Sequence, residues 1–182
     1  MIACLDLEGV LLPEIWIKFA EKTGVEDLKL TTRDIPDYDE LMTKRLNILK
    51  ENNFKLSDIK EVISKLEPLD GAIEFHKWLR SEFEVIILSD TFYQFVSPLM
   101  QKLDYPTLFC HQLVIDTNDS IVGYKLRQPN GKQEAVKALQ NLNFKVVAAG
   151  DSYNDIGMLK QANEGILFDP PENVISDYPQ FS

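Results

Sequence analysis

Six side chains in this chain of 182 residues could together move a phosphoryl group: Asp6, Glu8, Ser89, Lys132, Asp151 and Asp155. Displacement at phosphorus through a carboxylate needs a nucleophilic acid, a hard cation with oxygen ligands, donors for the equatorial oxygens and an acid to protonate the leaving group. Asp6 suits the attack because it follows the apolar run IACL, and Gly9 just beyond lets the backbone turn away and approach a ligand. Taken singly, each residue has a plainer use. Asp6 could cap a turn, Ser89 could cap a helix beginning near Phe92, Lys132 could be solvated, and Asp151 with Asp155 could be an N-cap and a first-turn charge. Their joint presence points to chemistry.

The elements that must position these residues follow from hydrophobic pattern. Strand-like runs at residues 2–7, 84–90, 145–151 and 165–168 alternate with helical patterns such as AIEFHKWLRSEF and KQEAVKALQNL. This alternation predicts an α/β fold with a Rossmann-like, doubly wound parallel sheet. Three of the four runs reach an acid toward their carboxyl ends, at Asp6, Asp90 and Asp151. Ligands in such folds bind outside the carboxyl ends of the strands, so Asp6, the Ser89–Asp90 pair and Asp151 are expected to converge.

The alternation breaks between residues 13 and 69, where EIWIKFAEKTG, YDELMTKRLNILKENN and LSDIKEVISKL read as helices and TTRDIPD as a loop. The expected organisation is therefore a core of residues 1–12 and 70–182 with a helical cap, 13–69, inserted after the first strand. LFCHQLVID and SIVGYKL flank TNDS as an antiparallel hairpin, and Pro98 should kink the helical pattern over 92–103 or delay its start. In the second cap pattern Tyr38, Met42, Arg45 and Leu49 share one stripe, which sets Arg45 among core-facing residues. An arginine there needs an anionic partner; snorkelling or an internal salt bridge would also accommodate it.

A net charge of -10 argues against sequence-independent binding to nucleic acid or to an anionic membrane. It leaves room for a small phosphorylated substrate, because one lysine or a bound cation reverses the field inside a cleft. Cys4 and Cys110 lie in apolar runs without metal-type spacing and read as buried free thiols. His76 and His111 have no ligand-like neighbours and are assigned no site. No basic segment precedes the first apolar run, which is too short for a signal peptide, and no stretch could span a bilayer, so a cytoplasmic protein is expected.

The motifs resemble those of the haloacid dehalogenase superfamily of phosphohydrolases. DLEGV is similar to its first motif, usually written DxDGT; VIILSD looks like the second, Lys132 fits the lysine of the third, and GDSYND matches the fourth, all in the family's order. LEGV, RDIPDYD and LSDTFY look closest to the bifunctional phosphoserine phosphatase and homoserine phosphotransferase members of its phosphoserine phosphatase branch, where a helical cap follows the first motif. The resemblance implies that Asp6 becomes an aspartyl phosphate and that Glu8 is the general acid and base. It implies Mg2+ held by Asp6, the Glu8 carbonyl and Asp151, supported by Asp155, with Ser89, Lys132 and Asn154 on the phosphoryl group. It further implies Arg45 on the substrate α-carboxylate and Glu14 near its amino group.

The expected activity is Mg2+-dependent hydrolysis of phosphoserine, with transfer to homoserine as a further outcome, by a monomer or homodimer. Two departures stand out: Glu8 replaces the usual second aspartate, and the chain ends at Ser182, sooner than the resemblance implies. A receiver-like phosphoacceptor module uses the same parts, and another small phosphometabolite would suit the same site. Order favours the phosphatase over the receiver, since here the nucleophile comes first, the inserted segment follows, and the second acid cluster lies beyond the lysine.

Overall fold

A computed structural model describes residues 1–32, 34–35 and 37–181; Arg33 and Pro36 of the TTRDIPD loop, and Ser182, lie outside the described residues. The chain builds one six-stranded sheet in the order β4-β3-β2-β1-β5-β6. Its strands are β1 (Ile2–Leu5), β2 (Glu84–Phe92), β3 (Thr107–Ile115), β4 (Ile121–Lys125), β5 (Val146–Gly150) and β6 (Glu164–Leu167). Every neighbouring pair is parallel except β3 with β4. The expected Rossmann-like, doubly wound sheet is therefore present, with the hairpin at one edge.

β1 is buried along its length because it sits between β2 and β5 with apolar layers on both faces. Its side chains alternate: Ala3 and Leu5 join one hydrophobic cluster, Ile2 and Cys4 the other. The helices are α1 (Ile15–Thr23), α2 (Tyr38–Glu51), α3 (Leu56–Ser64), α4 (Ala72–Glu82), α5 (Tyr93–Met100), α6 (Gly131–Asn141), α7 (Ile156–Gln161) and α8 (Glu172–Asp177). None of them is long and apolar enough to cross a membrane among the described residues.

The three helices expected between residues 13 and 69 are α1, α2 and α3, joined by a short 3-10 turn at Glu26–Lys29. Their apolar stripes, carrying Phe19, Met42, Leu49 and Ile59, merge with Leu7, Leu12, Phe92 and Phe95 in the first cluster. The hairpin turn ties α3 down. Asp119 accepts the N–H of Ser57 on its carboxylate at 2.9 Å and that of Leu56 on its carbonyl at 3.0 Å, which satisfies donors that the first turn of a helix leaves unpaired.

One local expectation changes, and of the two effects expected of Pro98 the late start is absent. β2 runs on to Phe92, two residues past Asp90, because Phe92 pairs with His111 after an irregular register that begins at Leu88. Pro98 does not delay α5, which starts at Tyr93 and ends at Met100. Burial of Phe95, Val96 and Leu99 stabilises the helix against the hydrogen bond that Pro98 cannot donate.

Candidate active site

The chain leaves β1 at Asp6, whose N–H still bonds to the Ala149 carbonyl at 2.9 Å and so points the residue out of the carboxyl end of the sheet. Its Oδ1 accepts the N–H of Leu7 at 2.7 Å. The backbone then passes against the loop after β5. Gly9 has φ 83°, and a Cβ there would stand 2.5 Å from the carboxyl carbon of Asp151, so only glycine permits the approach. Asp155 closes that loop by accepting the N–H groups of Asp151 at 3.0 Å and Ser152 at 3.1 Å on Oδ2. The result brings Asp6, Asp151 and Asp155 together: all three are buried, and each offers an oxygen within 4.8 Å of the others.

Lys132, in the first turn of α6, extends into this group. Its Nζ lies 2.7 Å from Asp155 Oδ1, 2.9 Å from Asp6 Oδ1 and 3.7 Å from Asp90 Oδ2. Burial alone would lower its pKa, but the carboxylates of Asp155, Asp6 and Asp90 raise it well above the usual lysine value, so the cluster holds a fixed positive charge. Burial and the charge of Asp155, with a further push from Asp151, raise the Asp6 pKa against the pull of Lys132. One cation does not balance these acids. An all-oxygen set of three buried carboxylates is the donor chemistry that a hard divalent ion takes.

The remaining candidates line one cleft of about 870 Å3 with Asp6 and Lys132: Glu8, Glu14, Arg45, Ser89 and Asn154. Ser89 is buried, and its Oγ accepts the Thr91 N–H at 3.2 Å. Asn154 donates through Nδ2 to Asp90 Oδ2 at 2.9 Å. Glu8 accepts the first N–H of α1, from Ile15, on Oε2 at 2.9 Å. Its carboxylate thus sits at the positive end of a helix that belongs to the inserted segment.

Arg45 lies on the stripe with Met42 and Leu49, all buried. Its guanidinium stacks over the Trp16 ring at 4.6 Å and donates from Nη2 to the Leu30 carbonyl at 2.8 Å, while buried Nε has no hydrogen-bond partner among the described residues. Burial pushes its pKa down to about 10 although Tyr38, Glu8 and Glu14 favour the charge. With 7% of its surface exposed, the side chain does not snorkel.

Two cleft residues escaped the site assignment. The sequence pattern places Asp90 only beside Ser89 and gives His111 no site, yet both line the cleft, with His111 Nε2 3.4 Å from Asp90 Oδ1. Burial would raise the Asp90 pKa, but Lys132, His111 and Asn154 hold it well below the usual carboxylate range. The SD dipeptide at the end of a strand pattern could have flagged Asp90. Nothing local marks His111, which arrives by pairing of β3 with β2.

Comparison with known proteins bears on the chain's family. The family model of the haloacid dehalogenase-like hydrolases matches residues 2–163. The chain is 63% identical over 180 residues to phosphoserine phosphatase ThrH of Pseudomonas aeruginosa, covering 99% of this chain and 88% of that protein. It is 61% identical over 180 residues to a phosphoserine phosphatase of Pseudomonas syringae pv. tomato, covering 99% of this chain and 76% of the relative. Among solved structures, apo phosphoserine phosphatase aligns with a TM-score of 0.78 at 23% identity, over 93% of this chain and 86% of that one. A phospho-aspartyl intermediate analogue of phosphoserine phosphatase aligns with a TM-score of 0.78 at 22% identity, over 97% and 89% of the two chains. At such identities the structural likeness speaks for the fold. The family match along most of the chain, together with the relatives above 60% identity, decides the membership: this chain belongs to the haloacid dehalogenase-like hydrolases.

Proposed function

We propose that this hydrolase is a Mg2+-dependent phosphoserine phosphatase that works through an aspartyl phosphate on Asp6. The observation that carries the reading is the buried convergence of Asp6, Asp151, Asp155 and Lys132 at the carboxyl ends of β1 and β5, in a chain 63% identical to a phosphoserine phosphatase. Asp6, the Glu8 carbonyl and Asp151 would hold Mg2+, with Asp155 supporting the site, and the ion would supply charge neutralisation around the phosphoryl group. Membership in a hydrolase family sets aside the receiver-like alternative.

Asp6 attacks phosphorus while Glu8 gives its proton to the departing serine oxygen. Ser89, Lys132 and Asn154 hold the phosphoryl oxygens through an O–H, an N–H of the ammonium and an amide N–H, so the developing charge meets donors already in place. Glu8, now a carboxylate, takes a proton from the water that attacks the aspartyl phosphate, and Asp6 is released. The inserted segment 13–69 acts as the cap over the core of residues 1–12 and 70–182. Arg45 receives the substrate carboxylate and Glu14 its ammonium group. The partnerless Nε of Arg45 supports this role, since an anion would satisfy a buried donor. The extra methylene of Glu8 relative to aspartate adds reach, which allows an alcohol such as homoserine to replace water as the acceptor.

The test is incubation of the protein with phosphoserine and Mg2+. Serine and inorganic phosphate should appear in equal amounts, chelation of Mg2+ should stop the release, and added homoserine should divert part of the phosphate into phosphohomoserine. No phosphate release overturns the phosphatase reading; release without phosphohomoserine overturns the transfer alone.

A further inference from the structure

We propose that His111 is a positioning residue for the phosphoryl-binding side chains and acts through Asp90. The proposal rests on the reading above, in which Asn154 and Lys132 face the phosphoryl group. It begins with a tautomer. His111 Nδ1 accepts the backbone N–H of Arg127 at 3.0 Å, so Nδ1 presents its lone pair and the ring proton sits on Nε2. Nε2 faces Asp90 Oδ1 at 3.4 Å. The ring is buried, and the rings of Tyr38 and Phe92 stand beside it with centroids at 6.3 and 6.4 Å.

Held on Oδ1, the Asp90 carboxylate turns Oδ2 toward Asn154, whose Nδ2 donates to it at 2.9 Å. Ser152 Oγ donates to Asn154 Oδ1 on the other side. These two contacts fix the amide orientation. The flipped amide would set its oxygen against a carboxylate, whereas this one leaves the second Nδ2 proton free for an anionic oxygen. Asp90 Oδ2 also lies 3.7 Å from Lys132, and the Asp90 carbonyl accepts the Tyr38 hydroxyl of α2 at 3.0 Å. One residue therefore joins β2, β3, α6, the loop after β5 and the inserted segment. A fixed negative charge beside a phosphoryl site opposes anion binding in itself. Orientation of Asn154 is what offsets that repulsion, and His111 holds the orienting group.

Two measurements test this. The first is 15N NMR of the folded protein; with only two histidines, His111→Phe identifies the signals of His111 by their loss. The spectrum should show the Nε2–H tautomer, and an Nδ1–H tautomer would overturn the proposal. The second is a cycle of kcat and KM for phosphoserine with Mg2+ in His111→Phe, Asn154→Ala and the double variant. His111→Phe should lower kcat by about tenfold with KM near its original value, and His111→Gln, which restores an N–H donor, should recover most of the loss. In the Asn154→Ala background the same change should cost little more, because residues acting as one unit are not additive. Equal losses in both backgrounds overturn the proposal alone. Unchanged turnover in Asn154→Ala overturns the assignment of the phosphoryl site and the proposal with it. Should His111→Phe fail to fold, Asp90→Asn carries the same cycle with little change of shape.

Discussion

The two walls of the cleft handle buried charge in opposite ways. On the core wall Lys132 contacts Asp6 and Asp155 at 2.9 and 2.7 Å, and Asp155 is further held by two backbone N–H groups. Lys132 answers part of that negative charge within the chain, and the excess of acid is what a divalent ion would take up. On the wall built by residues 13–69, Arg45 is equally buried but meets an aromatic face, one carbonyl and the Met42 sulfur, and its Nε is left over among the described residues. An unsatisfied buried donor costs about 1–3 kcal/mol. In the proposed mechanism the core wall is pre-organised for reaction whichever phosphate arrives, while the wall of residues 13–69 would be completed by a ligand that brings an anion of its own. On the proposed function, reaction type belongs to the first wall and selectivity to the second.

Breaking the core wall should have the largest effect. Asp6→Asn keeps the side chain's shape and removes a carboxylate whose charge burial already disfavours, so the protein should fold with an undiminished melting temperature. Turnover of phosphoserine should nevertheless fall by roughly 10,000-fold or more, as for other enzymes deprived of their nucleophile. Activity close to that of the unaltered protein would remove the mechanism proposed for this wall.

Breaking the inserted wall should cost less and depend on the substrate. Arg45→Ala is expected to lower kcat/KM for phosphoserine by about 2–4 kcal/mol, the range for a desolvated charge pair. Phosphoethanolamine, which lacks the carboxylate, should lose far less. Equal losses on the two compounds would show that Arg45 does not separate the walls by selectivity.

The smallest expected effect is no effect, and it sharpens the contrast. Cys4 in β1 and Cys110 in β3 lie behind the core wall, and burial pushes each thiol up to about 12. The raised values keep both protonated at about pH 8, where an ordinary exposed cysteine is partly thiolate. A thiolate-specific reagent such as dithionitrobenzoate should therefore label neither in the folded protein and both in denaturant. Labelling of Cys110 without denaturant would show that the sheet beside the cleft opens, contrary to a pre-organised wall.

Much of this arrangement was legible in the residues alone. The apolar run that stops at Asp6, the GDSYND turn and the helix stripe carrying Arg45 are local patterns, and local sterics and periodicity translate them directly into strand ends, a carboxylate-closed loop and a buried face. Gly9 was readable for the same reason, although the contact that forbids a side chain there, the Asp151 carboxylate, belongs to a distant loop. The sequence by itself determined which groups the core wall gathers, because each sits at a recognisable strand end or helix start. Only the tertiary structure decided that Glu8 receives the first N–H of α1, that Arg45 rests on Trp16, and that His111 meets Asp90. Periodicity reports which face of an element is buried. It does not report which strand lies alongside which, or in what register, and the meeting of His111 with Asp90 depends on that lateral choice.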